Sequence, residues 1–178
     1  MRVFLDACVL YPTVLREVLL KVAAEGLYEP LWSPRVLEEW SRAAARLGEE
    51  QAVIASGEIA LLRAAWPNAE VPDADDLSLD LPDPADVHVV AAARQAGAEI
   101  IVTLNLRDFP ARAVAPIAVL HPDVFLRDIF ARHPDEVTRA AESVRAEAER
   151  LSGAPWPMRK LLKKAYLPRL GKAIPDRD

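Results

Sequence analysis

The chain holds one cysteine, Cys8, in 178 residues, which excludes a disulfide framework and a thiolate zinc site and suits a reducing compartment. Taken alone, Cys8 reads as a small buried apolar residue. Histidine is scarce too: His88, His121 and His133 stand apart, match no metal-ligand spacing and read as surface or core residues. No apolar run approaches the roughly 20 residues that cross a bilayer. Asp6 also breaks the first apolar stretch before the apolar region of a signal peptide could form. A cytoplasmic protein with no membrane partner is expected. Neither a glycine-rich phosphate loop nor a G-x-S-x-G elbow occurs, so nucleotide-binding and serine-hydrolase readings have no support.

What is present is the composition of a globular chain, 52% hydrophobic and 28% charged with a mean hydropathy of +0.05, long enough for one main domain with a short extension. The net charge of −5 argues at first against a nucleic-acid partner, because phosphates attract Lys and Arg. The charge is unevenly placed, however. Gly153 to Asp178 hold seven Lys/Arg against two Asp/Glu, a balance of +5, while the preceding 152 residues hold 15 against 25, a balance of −10. An acidic body that gathers carboxylates around a divalent cation inverts its local sign. Net charge therefore does not decide the partner.

Val3-Phe4-Leu5 predicts a strand, and Val14, Leu15, Val18, Leu19 and Val22 at helical spacing predict a helix closed by Gly26. A short strand within Leu27 to Trp32 follows. Ser33-Pro34 then starts a helix, serine as N-cap and proline at the first helical position. Another helix runs from about Glu49 to Trp66, stops at Pro67 and gives way to a polar, proline-dotted connection from Asn68 to Pro82. Asp83-Pro84 begins a helix that ends at Gly97, and strands follow at Ile100-Ile101-Val102 and at Ile117 to Leu120. Beyond His121 the pattern is helical alone, from Val124 to Arg132 and from Pro134 to Leu151. Strands alternating with helices predict an α/β fold, a parallel sheet with helices packed on both faces. We expect a main domain over 1–121 and a helical extension with a basic tail over 122–178.

In open parallel sheets ligands bind beyond the carboxyl ends of the strands. Asp6 ends the first strand, and Asn105 and Asp108 lie just after the strand at Ile100 to Val102. Glu39 and Asp86 sit near the starts of helices that could face the same edge. Hard oxygen ligands of this kind suit Mg²⁺ or Mn²⁺, and a bound cation activates water and neutralises a scissile phosphate without a protein nucleophile. Each acid also has a structural role open to it. Asp86 could cap a helix, Glu38 and Glu39 could form a solvated face, and Asn105 and Asp108 could close a turn. Asp6, directly after a buried strand, is costly unless paired or metal-bound.

Four segments in order, Val3-Phe4-Leu5-Asp6-Ala7-Cys8-Val9-Leu10, Val36-Leu37-Glu38-Glu39-Trp40, Leu81-Pro82-Asp83-Pro84-Ala85-Asp86-Val87-His88-Val89-Val90-Ala91-Ala92-Ala93 and Ile101-Val102-Thr103-Leu104-Asn105-Leu106-Arg107-Asp108-Phe109, resemble the PIN-domain ribonucleases. That group includes the VapC-type toxins of bacterial toxin–antitoxin pairs, and the resemblance covers roughly Arg2 to Leu120. It implies a three-layer α/β/α sandwich around a central parallel sheet and a Mg²⁺- or Mn²⁺-dependent endoribonuclease. The family's acids fall on Asp6, Glu39 (Glu38 is the other register) and Asp86, with Asp83 as a helper. The fourth position falls on Asn105, a neutral amide, or on Asp108, the nearest acid. Thr103 is implied as a supporting hydroxyl. The resemblance further implies an RNA substrate, a small antitoxin and a homodimer. Two other readings stand beside it. One is an aspartyl-nucleophile phosphatase, which would want a second aspartate where Cys8 stands; the other is a non-catalytic PIN-like module that binds RNA or protein. The stretch from Arg159 to Tyr166, with Trp156 nearby, could hold RNA by charge and stacking, dock an acidic antitoxin, or form a solvated helix face.

Overall fold

Strand β1 (Arg2–Leu5) lies at the centre of the sheet, and its three apolar side chains are fully buried, as the run Val3-Phe4-Leu5 requires of a strand covered on both faces. The computed structural model describes residues 1–76 and 78–175, in two compact units. The first unit comprises Met1–Tyr11 and Glu29–Val119. Here β1 pairs in parallel with β2 (Glu29–Leu31) on one side, Phe4 opposite Leu31, and with β3 (Ile100–Val102) on the other, Leu5 opposite Val102. Strand β4 (Ala118–Leu120) completes the order β2-β1-β3-β4. Ala118 N–H donates to Glu99 O at 3.0 Å. The chain steps outward from β1 to β2 and then returns to the opposite side of β1 for β3. That reversal creates a switch point between the carboxyl ends of β1 and β3.

The helices of this unit follow from local chemistry. Ser33 caps α3 (Pro34–Ala45) by accepting from Val36 N–H, and Pro34 supplies the first helical φ. Val36, Leu37, Trp40 and Ala44 form its buried stripe. Helix α4 (Glu49–Ala65) packs along α3. Helix α5 (Val87–Gln95) buries every residue from His88 to Ala93 and is ended by Gly97, whose φ of +65° a side chain would strain. The first residues expected in that helix form a tighter turn instead, Pro84–Asp86, because Asp83 accepts from Ala85 N–H through its side chain and from Asp86 N–H through its carbonyl. A four-residue helix not foreseen from sequence, α1 (Ala7–Leu10), starts directly on Asp6. Its length is too short for hydrophobic periodicity to register. A second short helix, α6 (Ala111–Val114), precedes β4.

The second unit comprises Pro12–Tyr28 and the chain from Leu120 onward. Its described residues form the helices α2 (Thr13–Ala24), α7 (Pro122–Phe130), α8 (Pro134–Ser152), α9 (Met158–Lys164) and α10 (Leu170–Ala173). The apolar stripe Val137, Ala140, Ala141 and Val144 of α8 is buried, and α8 packs on α2. The compact units therefore do not follow one cut along the chain. The helical part after Leu120 takes α2 with it, and Tyr28 closes that packing, edge-on to Phe125 with ring centroids 5.0 Å apart. Among the described residues no helix is long and apolar enough to cross a membrane. The architecture is the expected α/β class, a parallel sheet flanked by helices with further carboxyl-terminal helices.

Candidate active site

Asp6 leaves β1 at the switch point and Thr103 leaves β3 beside it, one register step beyond the Leu5–Val102 pair. Their side chains meet there. Thr103 Oγ1 donates to Asp6 Oδ2 at 2.7 Å, Cys8 Sγ donates to the same oxygen at 3.0 Å, and Ala7 N–H donates to Oδ1 at 2.7 Å. Asp6 is 5% exposed. Burial raises its carboxyl above the ordinary range against the opposing pull of those three hydrogen bonds, and the charge of Glu39 adds to the rise. Thr103 in turn accepts from Asn105 N–H at 3.0 Å, so the loop after β3 is tied to the carboxylate through one hydroxyl.

Cys8 takes part in this cradle, contrary to its reading as a plain apolar residue. Leu104 N–H donates to its sulfur at 3.2 Å. Burial, and secondarily the neighbouring Asp6 charge, pushes its thiol well up, which keeps the S–H available as a donor. The signal lay in its position two residues after Asp6, on a helical turn too short to foresee.

Asp86 stands at the junction between the tight turn and α5. The capping role open to it from sequence is filled by Asp83, whose Oδ1 accepts from Ala85 N–H at 2.9 Å, while the Asp86 side chain makes no cap bond. Half-burial, then the charges of Asp6, Asp83, Asp108 and Glu39 in that order, push the Asp86 carboxyl up to about 7. Four carboxylates thus lie near enough to Asp86 for their charges to act on it, and the five acids come from four separate stretches of chain. The two registers on α3 separate clearly. Glu38 is exposed and pairs with Arg42 at 2.7 Å, an ordinary i,i+4 surface pair, whereas Glu39 faces Asp86 and Asp6. Asp108, on the turn Leu106–Asp108, adds its charge to Asp86, while Asn105 is exposed and contributes its backbone N–H to Thr103.

Sequence reasoning missed His88. Its Nε2 lies 2.7 Å from Glu39 Oε1, and the ring is 1% exposed. Glu39 is 49 residues away in sequence, so no local spacing could pair the two. The other two histidines have no part in the cluster: His121 caps α7 by accepting from Asp123 N–H at 3.1 Å, and His133 precedes α8. Among the described residues, no three His, Cys, Asp or Glu side chains stand close enough to hold one ion by themselves. The donor set is nonetheless hard oxygen throughout, and a Mg²⁺ site uses only one or two carboxylates directly and fills the rest with water. Mutual repulsion of neighbouring carboxylates is the condition that a cation relieves.

In the second unit, Met158, Leu161 and Leu162 of α9 are buried. Lys164 Nζ sits 4.7 Å and Lys160 Nζ 5.9 Å from the centroid of the Trp156 ring, so the indole is engaged by the tail's own cations.

The parallel sheet, with acidic side chains gathered at the switch point between β1 and β3, defines the class as an α/β protein with its candidate site at the strand ends. The chain belongs to the PIN domain family, whose profile matches residues 2–107. A protein assigned as a ribonuclease, VapC50 of Mycobacterium tuberculosis (strain ATCC 25618 / H37Rv), is 49% identical over 57 residues, 31% of this chain. That match spans 33% of the relative's length. No solved structure matches the chain significantly. The fold is accordingly the α/β/α sandwich of that family with added carboxyl-terminal helices.

Proposed function

We propose that the chain is a Mg²⁺- or Mn²⁺-dependent endoribonuclease acting as the toxin of a toxin–antitoxin pair, with the nuclease in residues 1–121 and a helical extension in 122–178. The observation that carries this reading is the concentration of acidic side chains around Asp86, whose carboxyl they help to push up to about 7. The ribonuclease assignment of the VapC50 relative supports it.

In this reading Asp6 and Asp86 would hold the ion, with Glu39 and Asp108 completing the acidic set around it. Once bound, the ion supplies an activated water and charge neutralisation at the scissile phosphate. Thr103, Cys8 and Ala7 N–H fix the Asp6 carboxylate in one orientation, while Asp83 shapes the turn that presents Asp86. Asn105, exposed beside the site, is placed to meet a base or ribose of the RNA by hydrogen bonding.

Helix α4 presents an apolar surface. Its buried side holds Ala55, Ile59 and Leu62, while Val53, Ile54, Gly57, Ala60, Leu61 and Ala64 lie together on the opposite face. Val53 and Leu61 are 68% and 72% exposed. A face free of charge over three turns is the sort of surface that partners cover. A small antitoxin and a second copy of the chain are the partners this reading includes. The absence of a membrane-crossing helix among the described residues is compatible with action on cytoplasmic RNA.

The reading is tested by incubating a mixed RNA pool with the purified, antitoxin-free protein in Mg²⁺, Mn²⁺ or EDTA, beside the Asp6→Asn variant. Cutting that needs the metal and disappears in the variant is expected. A folded protein that cuts with no metal, or cuts equally well as Asp6→Asn, overturns it. A folded protein that cuts under no condition yet retains RNA returns the non-catalytic module to first place.

A further inference from the structure

We infer that His88 is a positioning residue of this site, its Nε2–H fixing the Glu39 carboxylate toward Asp86 and Asp6. The inference rests on the nuclease reading for its kinetic consequence, though the hydrogen bond itself does not. Three observations combine. The Nε2 to Oε1 distance is 2.7 Å, that of a charge-assisted bond. The imidazole is 1% exposed and sits on the first turn of α5, two residues after Asp86, so the same helix start sets both groups. Among the described residues, His88 Nδ1 is buried and has no hydrogen-bond partner.

The last point assigns the tautomer. A carboxylate can only accept, so the ring nitrogen facing Glu39 carries a hydrogen. A neutral imidazole carries one ring hydrogen, so with that hydrogen on Nε2 the buried, partnerless Nδ1 is the bare nitrogen. A histidine in this state is a fixed donor aimed at one oxygen. Glu39 needs such a donor because its side chain is 30% exposed, carries several rotatable bonds and would otherwise swing away from the negative charges of Asp6 and Asp86. The bond offsets that repulsion and engages only Oε1 of Glu39. Partners that orient site carboxylates or ligands in this way alter activity by about 10 to 100-fold when removed.

Two readouts test the proposal on the full chain. The first is kinetic, with RNA as substrate and Mg²⁺ present. The expectation is that His88→Leu lowers kcat about 10 to 100-fold with KM nearly unchanged, and that His88→Gln, whose amide can donate to Glu39, restores most of the rate. Wild-type kcat in His88→Leu, or equal losses in both variants with both folded by thermal melting, overturns the positioning role. The second readout is the ¹⁵N spectrum of the imidazoles, which is independent of cleavage. Nε2 of His88 should appear protonated and Nδ1 bare, and Mg²⁺ should shift the ring signals in wild type but not in Glu39→Ala. A protonated Nδ1, or ring signals indifferent to Glu39→Ala, overturns the bond itself. If wild-type protein cuts no RNA at all, the nuclease reading fails, and the spectrum still decides the His88–Glu39 bond.

Discussion

Asp86 carries the largest share of the chemistry assigned to any one residue, and its titration ties function to stability. Its ordinary value of 3.8 is raised to about 7 in the fold. Between those two values the folded protein holds this proton more tightly than the unfolded chain does. The stabilisation is therefore complete below about pH 3.8 and is lost as pH rises through about 7. Asp6, raised in the same direction by burial, adds to the trend. For metal-free protein, thermal melting should show the contribution of these groups to stability falling from pH 4 to pH 7. Subtracting the profile of Asp86→Asn, which has no such proton, should isolate it; identical profiles for the two proteins would refute the raised carboxyl. The same variant retains size and loses charge, so it should fold normally while losing RNA cleavage. Glu38→Gln, which breaks only the exposed pair with Arg42, should leave cleavage intact and change stability by less than about 0.5 kcal/mol.

Elements position these residues, and the elements were legible to different degrees. Strands β1 and β3 announce themselves as apolar runs, and the Ser33-Pro34 start of α3 and the Gly97 stop of α5 stand where capping chemistry puts them. The turn at Pro84–Asp86 was hidden, because a proline after an aspartate starts an α-helix and a tight turn equally well; only the Asp83 cap distinguishes them. Helix α1 was hidden by its length. The pairing of His88 with Glu39, and of Cys8 with Asp6 and Thr103, depends on which helix faces which strand end, which residue types alone do not encode. In the second unit the equivalent device is Asp123, 3% exposed, whose carboxylate accepts from Arg169 N–H at 3.0 Å and Leu170 N–H at 3.0 Å and so starts α10. Asp123→Ala strands both donors and should destabilise by about 1.5 to 3 kcal/mol in urea unfolding. A loss below about 0.5 kcal/mol would show that water replaces the carboxylate there.

At the scale of the whole molecule, the acidic balance of the first 152 residues, −10 by sequence, stops being an argument against nucleic acid if the proposed cation is bound, because the ion inverts the local sign. The family match over residues 2–107 covers the four acids Asp6, Glu39, Asp83 and Asp86, with Asp108 one residue beyond it. The fold class could be read from sequence because strands and helices alternate along the chain, and the candidate acids were proposed from their order after strand ends and near helix starts. The grouping of α2 with the carboxyl-terminal helices could not, since it depends on packing between segments more than 100 residues apart. A cation that binds only the folded state should raise the melting temperature at pH 7, with a stabilisation of about 2.7 kcal/mol at a concentration 100 times its Kd. Asp86→Asn should lose most of that increment, and an equal increment in both proteins would place the cation elsewhere.

On the proposed reading, the acids around Asp86 make this chain a metal-dependent nuclease. The most direct test of that reading is the single-turnover rate of RNA cleavage as Mg²⁺ is titrated, for wild type and Asp86→Asn side by side. The account predicts a wild-type rate that rises with Mg²⁺ to saturation and a variant rate that stays at background throughout. Superimposable curves, or a wild-type rate that does not depend on the metal, would contradict it.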